Sequence, residues 1–284
     1  MTTPTRSGYA NVNGIRLYYE IYGRGDPLVL LPGGLMTIPE MSVLLEPLAR
    51  TNQVIAVELQ GHGRTADTDR PLSLATMGDD IAALLDHLDI DSAHLVGYSH
   101  GADVALRTAF QHPQKIRRLV VISTPFALDG WYREAQDGMG AINAGFAELL
   151  KNTPTAQAAR EWPQPERFAR FLDKMGEMKR QRYNWSDEVK NLTMPVMLVY
   201  ADHDSVSQRH IAEFFALLGG GISEPGWQNT TFTKARLAIV PGYSHYNFMS
   251  STELAPIIAK FLSETMTGPS IGVSAAASVA PARE

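Results

Sequence analysis

The sequence predicts an α/β fold: a mostly parallel open sheet with helices on both faces and one inserted helical segment. Short runs rich in Val, Ile and Leu alternate with longer amphipathic stretches, which is the pattern of strands joined by crossover helices. The later runs are apolar nearly throughout, as strands covered on both faces must be. Two of these runs are separated by about seventy residues, far more than the roughly thirty of a whole βαβ unit, so an additional element is expected there.

Seven apolar runs are the candidate strands, and four amphipathic stretches are the candidate helices between them. The first run mixes polar with apolar residues and is therefore expected at an antiparallel edge of the sheet. The predicted strands are residues 15–21, 28–31, 54–58, 94–96, 119–123, 196–200 and 237–240. The predicted helices are residues 73–88, 102–111, 208–218 and 254–261.

The long segment before the predicted strand 196–200 concentrates large apolar side chains and is broken by prolines. These side chains are Phe126, Trp131, Tyr132, Met139, Phe146, Trp162, Phe168, Phe171, Met175, Met178, Tyr183 and Trp185. We expect residues 125–190 to form a helical lid inserted into a core domain of residues 1–124 and 191–266. Residues 219–232 have the composition of a surface loop, and residues 267–284 that of a flexible tail.

Length and composition exclude several classes of function. The chain has 284 residues, with 25 Lys and Arg against 30 Asp and Glu; neither sign forms a long block, so no nucleic-acid partner is expected. There is no cysteine, which excludes disulfides, thiolate zinc sites, iron–sulfur clusters and cysteine nucleophiles. No apolar run approaches a membrane span, and the first residues lack the apolar region of a signal peptide. We expect a cytoplasmic protein with a small-molecule partner and no membrane partner.

The strongest chemical signal is Gly97-Tyr98-Ser99-His100-Gly101, a G-x-S-x-G sequence between a predicted strand and a predicted helix. In that setting a serine can lie on a sharp, exposed turn, with small residues on both sides to avoid steric clash. The dipole of the following helix would favour negative charge that develops near Ser99. The alternative interpretation is that Ser99 only caps the helix.

A serine nucleophile needs a base and a carboxylate that orients the base, and the chain provides both. His245 follows the last predicted strand, so its side chain can reach the carboxyl edge of the sheet, where ligands bind in open α/β folds. Asp202 and Asp204 both follow the strand before it, and either could hold the imidazole. The order Ser, Asp, His along the chain is that of α/β-hydrolases.

In these motifs the sequence resembles the α/β-hydrolase superfamily, and the resemblance extends to about residue 265. It implies a serine hydrolase with the α/β-hydrolase fold, and the family's G-x-x-D pattern implies Asp204 as the acid, leaving Asp202 as a turn or capping residue. It further implies an oxyanion hole made by the backbone amides of His100 and of Gly34 or Leu35. The family commonly has His where this chain has Pro32; because proline removes only its own amide, the hole is expected to survive.

The other motifs and histidines are expected to have structural rather than catalytic roles. The segment from Glu58 to Thr65 resembles the family's G-x-G-x-[ST] loop, so His62 and Arg64 are expected to position that loop. The side chain of His100 is expected to line the pocket rather than to act in catalysis. No dinucleotide fingerprint or metal-site spacing is present, so no cofactor and no metal are predicted.

The apolar inserted segment indicates a small apolar substrate. The predicted substrate-binding residues are Trp131, Met139, Phe146, Trp162, Met175 and Tyr246. We expect hydrolysis of carboxylic esters, with carbon–carbon bond hydrolysis or lactone hydrolysis on the same triad as the alternative. Dehalogenase and epoxide-hydrolase chemistry is disfavoured because those relatives have Asp at the position of Ser99. An alternative of another class is a small-molecule receptor with vestigial activity; the complete triad favours the enzyme.

Overall fold

The computed structural model describes residues 3–224 and 232–265. Within these residues the elements follow in the order β1 (Arg6–Val12), β2 (Ile15–Tyr22), β3 (Asp26–Leu31), α1 (Ser42–Leu48), β4 (Asn52–Glu58), α2 (Leu74–His87), β5 (Ala93–Tyr98), α3 (His100–Gln111), β6 (Ile116–Ile122), α4 (Arg133–Gly140), α5 (Phe146–Leu150), α6 (Pro154–Ala159), α7 (Arg167–Lys179), α8 (Ser186–Lys190), β7 (Val196–His203), α9 (Gln208–Leu217), β8 (Ala235–Ser244) and α10 (Leu254–Ser263).

The described strands form one sheet in the order β1-β2-β4-β3-β5-β6-β7-β8. The pairs β1–β2 and β2–β4 are antiparallel, and the remaining pairs are parallel. The predicted α/β class, with a mostly parallel sheet, is therefore confirmed. All the parallel strands have their carboxyl ends at one edge of the sheet, and the loops that follow β3, β5, β7 and β8 meet there.

Each face of the sheet has its own apolar core, because successive side chains of a strand point to opposite faces. In β3, Val29 and Leu31 belong to the cluster that includes residues of α2, α3 and α9. Their neighbours Leu28 and Leu30 belong to the cluster that includes residues of α1 and α10. This arrangement explains why the central strands contain continuous apolar runs.

The sequence prediction missed β1, which pairs along its whole length with β2. Its alternation is weak because most of its side chains lie at the surface. The signal that could have revealed it is Asn13-Gly14, since both residues have positive φ (45° and 82°), as the tight turn of a two-residue hairpin requires. The short helix α1 was also missed; it has seven residues and contains Pro47.

Five helices, α4 to α8, lie between β6 and β7, in the segment where a helical insertion was predicted. The helix α7 belongs to the apolar cluster on the α2–α3 side of the sheet, and the ring of Phe171 packs against Gly61 in the loop after β4. Of the predicted surface loop 219–232, residues 225–231 lie outside the described residues. The predicted tail 267–284 also lies outside them.

Candidate active site

Ser99 lies on a strained turn between β5 and α3. Its backbone φ is 50° and ψ is −117°, values that a residue with a side chain adopts only at an energetic cost of about 1–3 kcal/mol. The turn is held to the neighbouring strand by the Ser99 amide, which donates to the Ile122 carbonyl at 2.8 Å. A Cβ at Gly97 would lie 2.3 Å from the Gly101 carbonyl oxygen, and a Cβ at Gly101 would lie 2.4 Å from the Leu31 carbonyl oxygen. Both glycines of the motif are therefore required by close backbone approach.

The structure brings Ser99, His245 and Asp204 into one hydrogen-bonded chain. The Ser99 Oγ lies 3.1 Å from His245 Nε2, and His245 Nδ1 lies 3.1 Å from Asp204 Oδ1. Because an ionised carboxylate can only accept, Nδ1 carries the proton of the neutral ring and Nε2 offers its lone pair to the serine hydroxyl. This is the tautomer in which His245 can remove the proton of Ser99.

Asp204 is buried and is fixed by contacts beyond the imidazole. Its Oδ2 accepts hydrogen bonds from Ser123 Oγ at 2.5 Å and from the Ala201 amide at 3.2 Å. Its Oδ1 also accepts from the Val206 amide at 3.4 Å. Sequence reasoning missed Ser123, which has a positive φ of 55° at the end of β6. These bonds hold the carboxylate in one orientation toward His245.

Asp202 has a different position, although it is only two residues away. Its Oδ1 accepts from the amides of Gly242 at 2.9 Å and Tyr243 at 3.3 Å. The hydrogen bond from Gly242 is the main cause that lowers the pKa of Asp202 below its usual value. Asp202 therefore links the end of β7 to the end of β8, close to His245.

Tyr98 and Trp131 enclose the His245 ring. Tyr98 stacks on it with ring centroids 5.6 Å apart, and its hydroxyl donates to the His245 carbonyl oxygen. Burial raises the pKa of Tyr98 above its usual value, so the hydroxyl keeps the proton that it donates. Trp131 meets the imidazole edge-on at 5.4 Å. The variable position before Ser99 in the G-x-S-x-G sequence gave no sign that Tyr98 would hold the histidine.

The three residues predicted for the oxyanion hole lie beside Ser99 in the wall of one cavity of ≈ 130 Å³. His100 is the first residue of α3, and the first amides of a helix have no partner within the helix. Gly34 and Leu35 form the turn after β3, where Leu35 has a φ of 61°. The cavity thus places candidate amide donors from two separate elements next to the serine hydroxyl.

Four of the six predicted substrate-binding residues line this cavity: Trp131, Met139, Met175 and Tyr246. The side chains that sequence reasoning did not assign to the cavity are Ala135, Ile142, Lys179 and Ser205. Tyr246 is 84% exposed, so it lies at the mouth. The wall is therefore largely apolar, with one lysine from α7.

The structure does not bring Trp162 and Phe146, also predicted to bind substrate, into the lining of this cavity. The indole of Trp162 donates to the Gly63 carbonyl oxygen at 2.8 Å and packs edge-on against Phe168. Phe146 begins α5 and packs against the apolar cluster that α7 also joins. Both aromatic side chains therefore belong to the core that the inserted segment shares with the sheet, because its short helices need apolar contacts of their own.

The loop after β4 is held by buried polar groups. Arg64 binds Glu58 at 2.7 Å and Glu20 at 2.6 Å, so its guanidinium links two strands. His62 is fully buried, and its Nδ1 donates to the Gln60 carbonyl oxygen at 3.1 Å. Burial, followed by the neighbouring His100, lowers the pKa of His62 to about 3. The imidazole is therefore neutral at physiological pH, and both side chains lie where a loop-positioning role requires them.

Among residues 3–224 and 232–265, no helix has the length and apolar character needed to cross a membrane. In the same part of the chain, no group of three or more His, Cys, Asp or Glu side chains is arranged to hold a metal ion.

Comparison with known proteins gives matches in sequence and in structure. Residues 26–164 match a family model described as "alpha/beta hydrolase fold". The chain is 29% identical over 252 residues to the dihydrolipoyllysine-residue acetyltransferase component of the acetoin cleaving system of Cupriavidus necator, covering 87% of this chain and 60% of that protein. It is 31% identical over 142 residues to the 2-hydroxymuconate semialdehyde hydrolase of Pseudomonas sp. strain CF600, covering 49% of this chain and 50% of that protein.

The chain spans between half and three fifths of the length of these two curated relatives. Among solved structures, the carboxylesterase CesB of Bacillus subtilis superposes with a TM-score of 0.67 at 17% identity, and the match covers 91% of each chain. At that identity the superposition shows a common fold.

Proposed function

Because the chain belongs to the α/β-hydrolase superfamily, we propose that it is a cofactor-independent hydrolase that cleaves carboxylic esters of small apolar substrates through an acyl-enzyme on Ser99. The observation that carries the proposal is the hydrogen-bonded chain from Ser99 through His245 to Asp204. It costs free energy to combine a strained turn, an imidazole oriented toward the serine and a buried carboxylate in one site. A protein that only binds its ligand has no need of this arrangement.

In the proposed reaction, the Ser99 oxygen attacks the ester carbonyl while His245 Nε2 takes its proton. Asp204 stabilises the imidazolium that forms. The negative charge that develops on the carbonyl oxygen is stabilised by the amides of His100 and of Gly34 or Leu35. His245 then gives its proton to the departing alcohol, which leaves the acyl group on Ser99. Water attacks this ester with His245 as base, and the acid is released.

The shape of the cavity supports a small substrate with an apolar acyl or alcohol part. Its volume is ≈ 130 Å³, and its wall is formed largely by Leu35, Trp131, Met139 and Met175. Burial of apolar substrate atoms against these side chains supplies binding free energy without orienting the reacting bond. The inserted segment provides three of these four residues, and we propose that the segment 125–190 acts as a lid over Ser99.

The test is hydrolysis of p-nitrophenyl butyrate by the protein and by its Ser99→Ala variant. Loss of the nucleophile is expected to lower kcat by at least about 10³-fold, leaving the residual rate that binding and the oxyanion hole provide. A urea unfolding curve of the variant serves as the control for folding. Near-normal turnover by a folded Ser99→Ala variant would rule out the proposal.

Hydrolysis of a carbon–carbon bond is the second candidate, because one relative is named a 2-hydroxymuconate semialdehyde hydrolase. The same triad can also open lactones, and the fold does not choose among these reactions. A panel of esters, lactones and vinylogous diketones, compared by kcat/KM, separates them. Turnover on the order of 1 per second or more is expected for an enzyme; tight binding with a single slow turnover would instead indicate a receptor.

A further inference from the structure

His100 is a buried polar residue in the wall of the cavity. It lines the cavity beside Ser99 and is only 1% exposed. Among the described residues, neither of its ring nitrogens has a hydrogen-bond partner. Buried polar atoms are normally hydrogen-bonded, and one that is not is unfavourable. The unpartnered imidazole therefore marks a place where a polar group of a ligand can bind.

Lys179 lies in the wall of the same cavity, at the end of α7. Its Nζ donates to Asp103 Oδ2 at 2.9 Å, and its side chain is 14% exposed. Asp103 is held in turn by a hydrogen bond from the Thr124 hydroxyl. An ammonium group has three donors, so Lys179 can bind a ligand oxygen while it keeps Asp103. Because Asp103 balances the charge of Lys179, the pair attracts an anion less strongly than a lone lysine would.

The tautomer of His100 decides which ligand group fits beside Lys179. Burial and then the charge of Lys179 lower the pKa of His100 below its usual value, so the ring is neutral. Its Nδ1 lies 3.9 Å from Asp103 Oδ2, which favours the proton on Nδ1 because a carboxylate repels a lone pair. Nε2 then remains as an acceptor. Together Lys179 donates and His100 accepts, which is the complement of a hydroxyl group.

We propose that Lys179 and His100 form a subsite for a neutral hydroxyl group on the acyl part of the substrate. This inference rests on the proposed function, since it is the acyl group that is held next to Ser99. The preferred ester is then one whose short apolar acyl chain carries a single hydroxyl. An anionic acyl group is the competing possibility, because Arg107 and Arg182 line a second cavity, which Lys179 also lines.

The test compares three p-nitrophenyl esters: butyrate, 3-hydroxybutyrate and succinate. Each kcat/KM is divided by the rate of hydroxide-catalysed hydrolysis of the same ester, which removes differences in intrinsic reactivity. The protein is expected to prefer 3-hydroxybutyrate over butyrate by about tenfold, the effect of one hydrogen bond to a charged group. The Lys179→Met variant is expected to lose this preference, with a ratio near one.

Lys174→Met is the matched control. Lys174 lies on the same helix and pairs with buried Asp67 at 2.6 Å, and its side chain is 11% exposed, but it does not line the cavity. Its removal is expected to leave the ratio of kcat/KM for 3-hydroxybutyrate to that for butyrate unchanged. The control therefore separates recognition of the substrate hydroxyl from the loss of an ion pair of α7. Should Lys179→Met not fold, the affinities of Ser99→Ala for methyl 3-hydroxybutyrate and methyl butyrate give the same comparison, with the first expected to bind about tenfold tighter.

Two results would overturn the subsite: equal rates for butyrate and 3-hydroxybutyrate, or succinate as the best of the three esters. Either result leaves the proposed function intact provided that butyrate is cleaved and that cleavage requires Ser99. Absence of Ser99-dependent cleavage of all three esters would instead reject the proposed function itself.

Discussion

At the scale of single residues, the site depends on two serines with positive φ at neighbouring strand ends. Ser99, at 50°, presents its hydroxyl to His245, and Ser123, at 55°, holds the carboxylate of Asp204. Sequence reasoning found the first because glycines at fixed spacing surround it. It missed Ser123, Tyr98 and Lys179, because their contacts with the site join segments that are distant in the chain and leave no local pattern.

Asp202 and Asp204, at the end of β7, are expected to respond differently to loss of charge. In Asp204→Asn the amide NH₂ donates to His245 Nδ1, which moves the ring proton to Nε2, so the ring cannot accept the proton of Ser99. We expect kcat for butyrate ester hydrolysis to fall by about 10³- to 10⁴-fold. Asp202→Asn keeps an oxygen that accepts from Gly242, so a loss below about tenfold is expected. The reverse order of effects would contradict the assignment of Asp204.

Tyr98→Phe tests whether the phenol positions the His245 ring for the proposed reaction. The substitution keeps the ring that stacks on His245 and removes only the hydrogen bond to its carbonyl oxygen. We expect kcat to fall by about tenfold, equivalent to about 1.4 kcal/mol in the barrier, with KM changed less than about twofold. Steady-state kinetics measure both constants. An unchanged kcat, or an effect confined to KM, would show that the histidine is held without this bond.

At the scale of elements, local turn chemistry and periodicity predict where strands and helices lie in the sequence. They do not predict how the side chains of these elements pack against one another. Of the eight described strands, β2 to β8 were predicted because they contain apolar runs, and the helices α2, α3, α9 and α10 because their periodicity matches their burial. The hairpin β1–β2 was missed although Asn13-Gly14 indicated it, since β1 exposes most of its side chains. The places of Trp162 and Phe146 could not be predicted, because an apolar side chain on a short helix can pack either on the core or toward the cavity.

Two glycine substitutions show how the backbone conformation of the hairpin turn affects stability, separately from steric clash of the added Cβ. A Cβ at Gly14 or at Gly138 would meet no atom within 4 Å, but only Gly14 has a positive φ, of 82°. Gly14→Ala is expected to lower the free energy of unfolding by about 1 kcal/mol, through strain in the left-handed region. Gly138→Ala, inside α4, is expected to raise it by about 0.5 kcal/mol. Urea unfolding measures both; equal effects of the two substitutions would contradict this explanation.

At the scale of the whole molecule, the sheet with its two apolar faces was predictable because burial on both faces leaves continuous apolar runs in the sequence. The edge where the loops after β3, β5, β7 and β8 meet was also predictable, since parallel strands end together. Which polar groups become buried was not predictable. The neutral histidines His62 and His100 owe their lowered pKa values mainly to burial that only the assembled fold creates.

This burial predicts a dependence of stability on pH. The folded protein keeps His62 neutral down to about pH 3, whereas the unfolded chain protonates it below about pH 6.5. The unfolded state therefore binds more protons in this window, and stability falls as pH falls, by about 1.4 kcal/mol per pH unit from this group. His62→Asn removes that contribution, so its free energy of unfolding is expected to fall less steeply between about pH 6 and pH 4. Parallel pH curves for the variant and the parent protein, measured by urea unfolding, would contradict this.

The most direct test of the central claim, a nucleophilic Ser99, is labelling with a fluorophosphonate followed by peptide mapping. We expect one phosphonyl group per chain, attached to Ser99, and loss of ester turnover in proportion to labelling. The His245→Ala variant is expected to react far more slowly, because the serine then lacks its base. Ester turnover that persists after complete labelling of Ser99, or a label on another residue, would contradict the account.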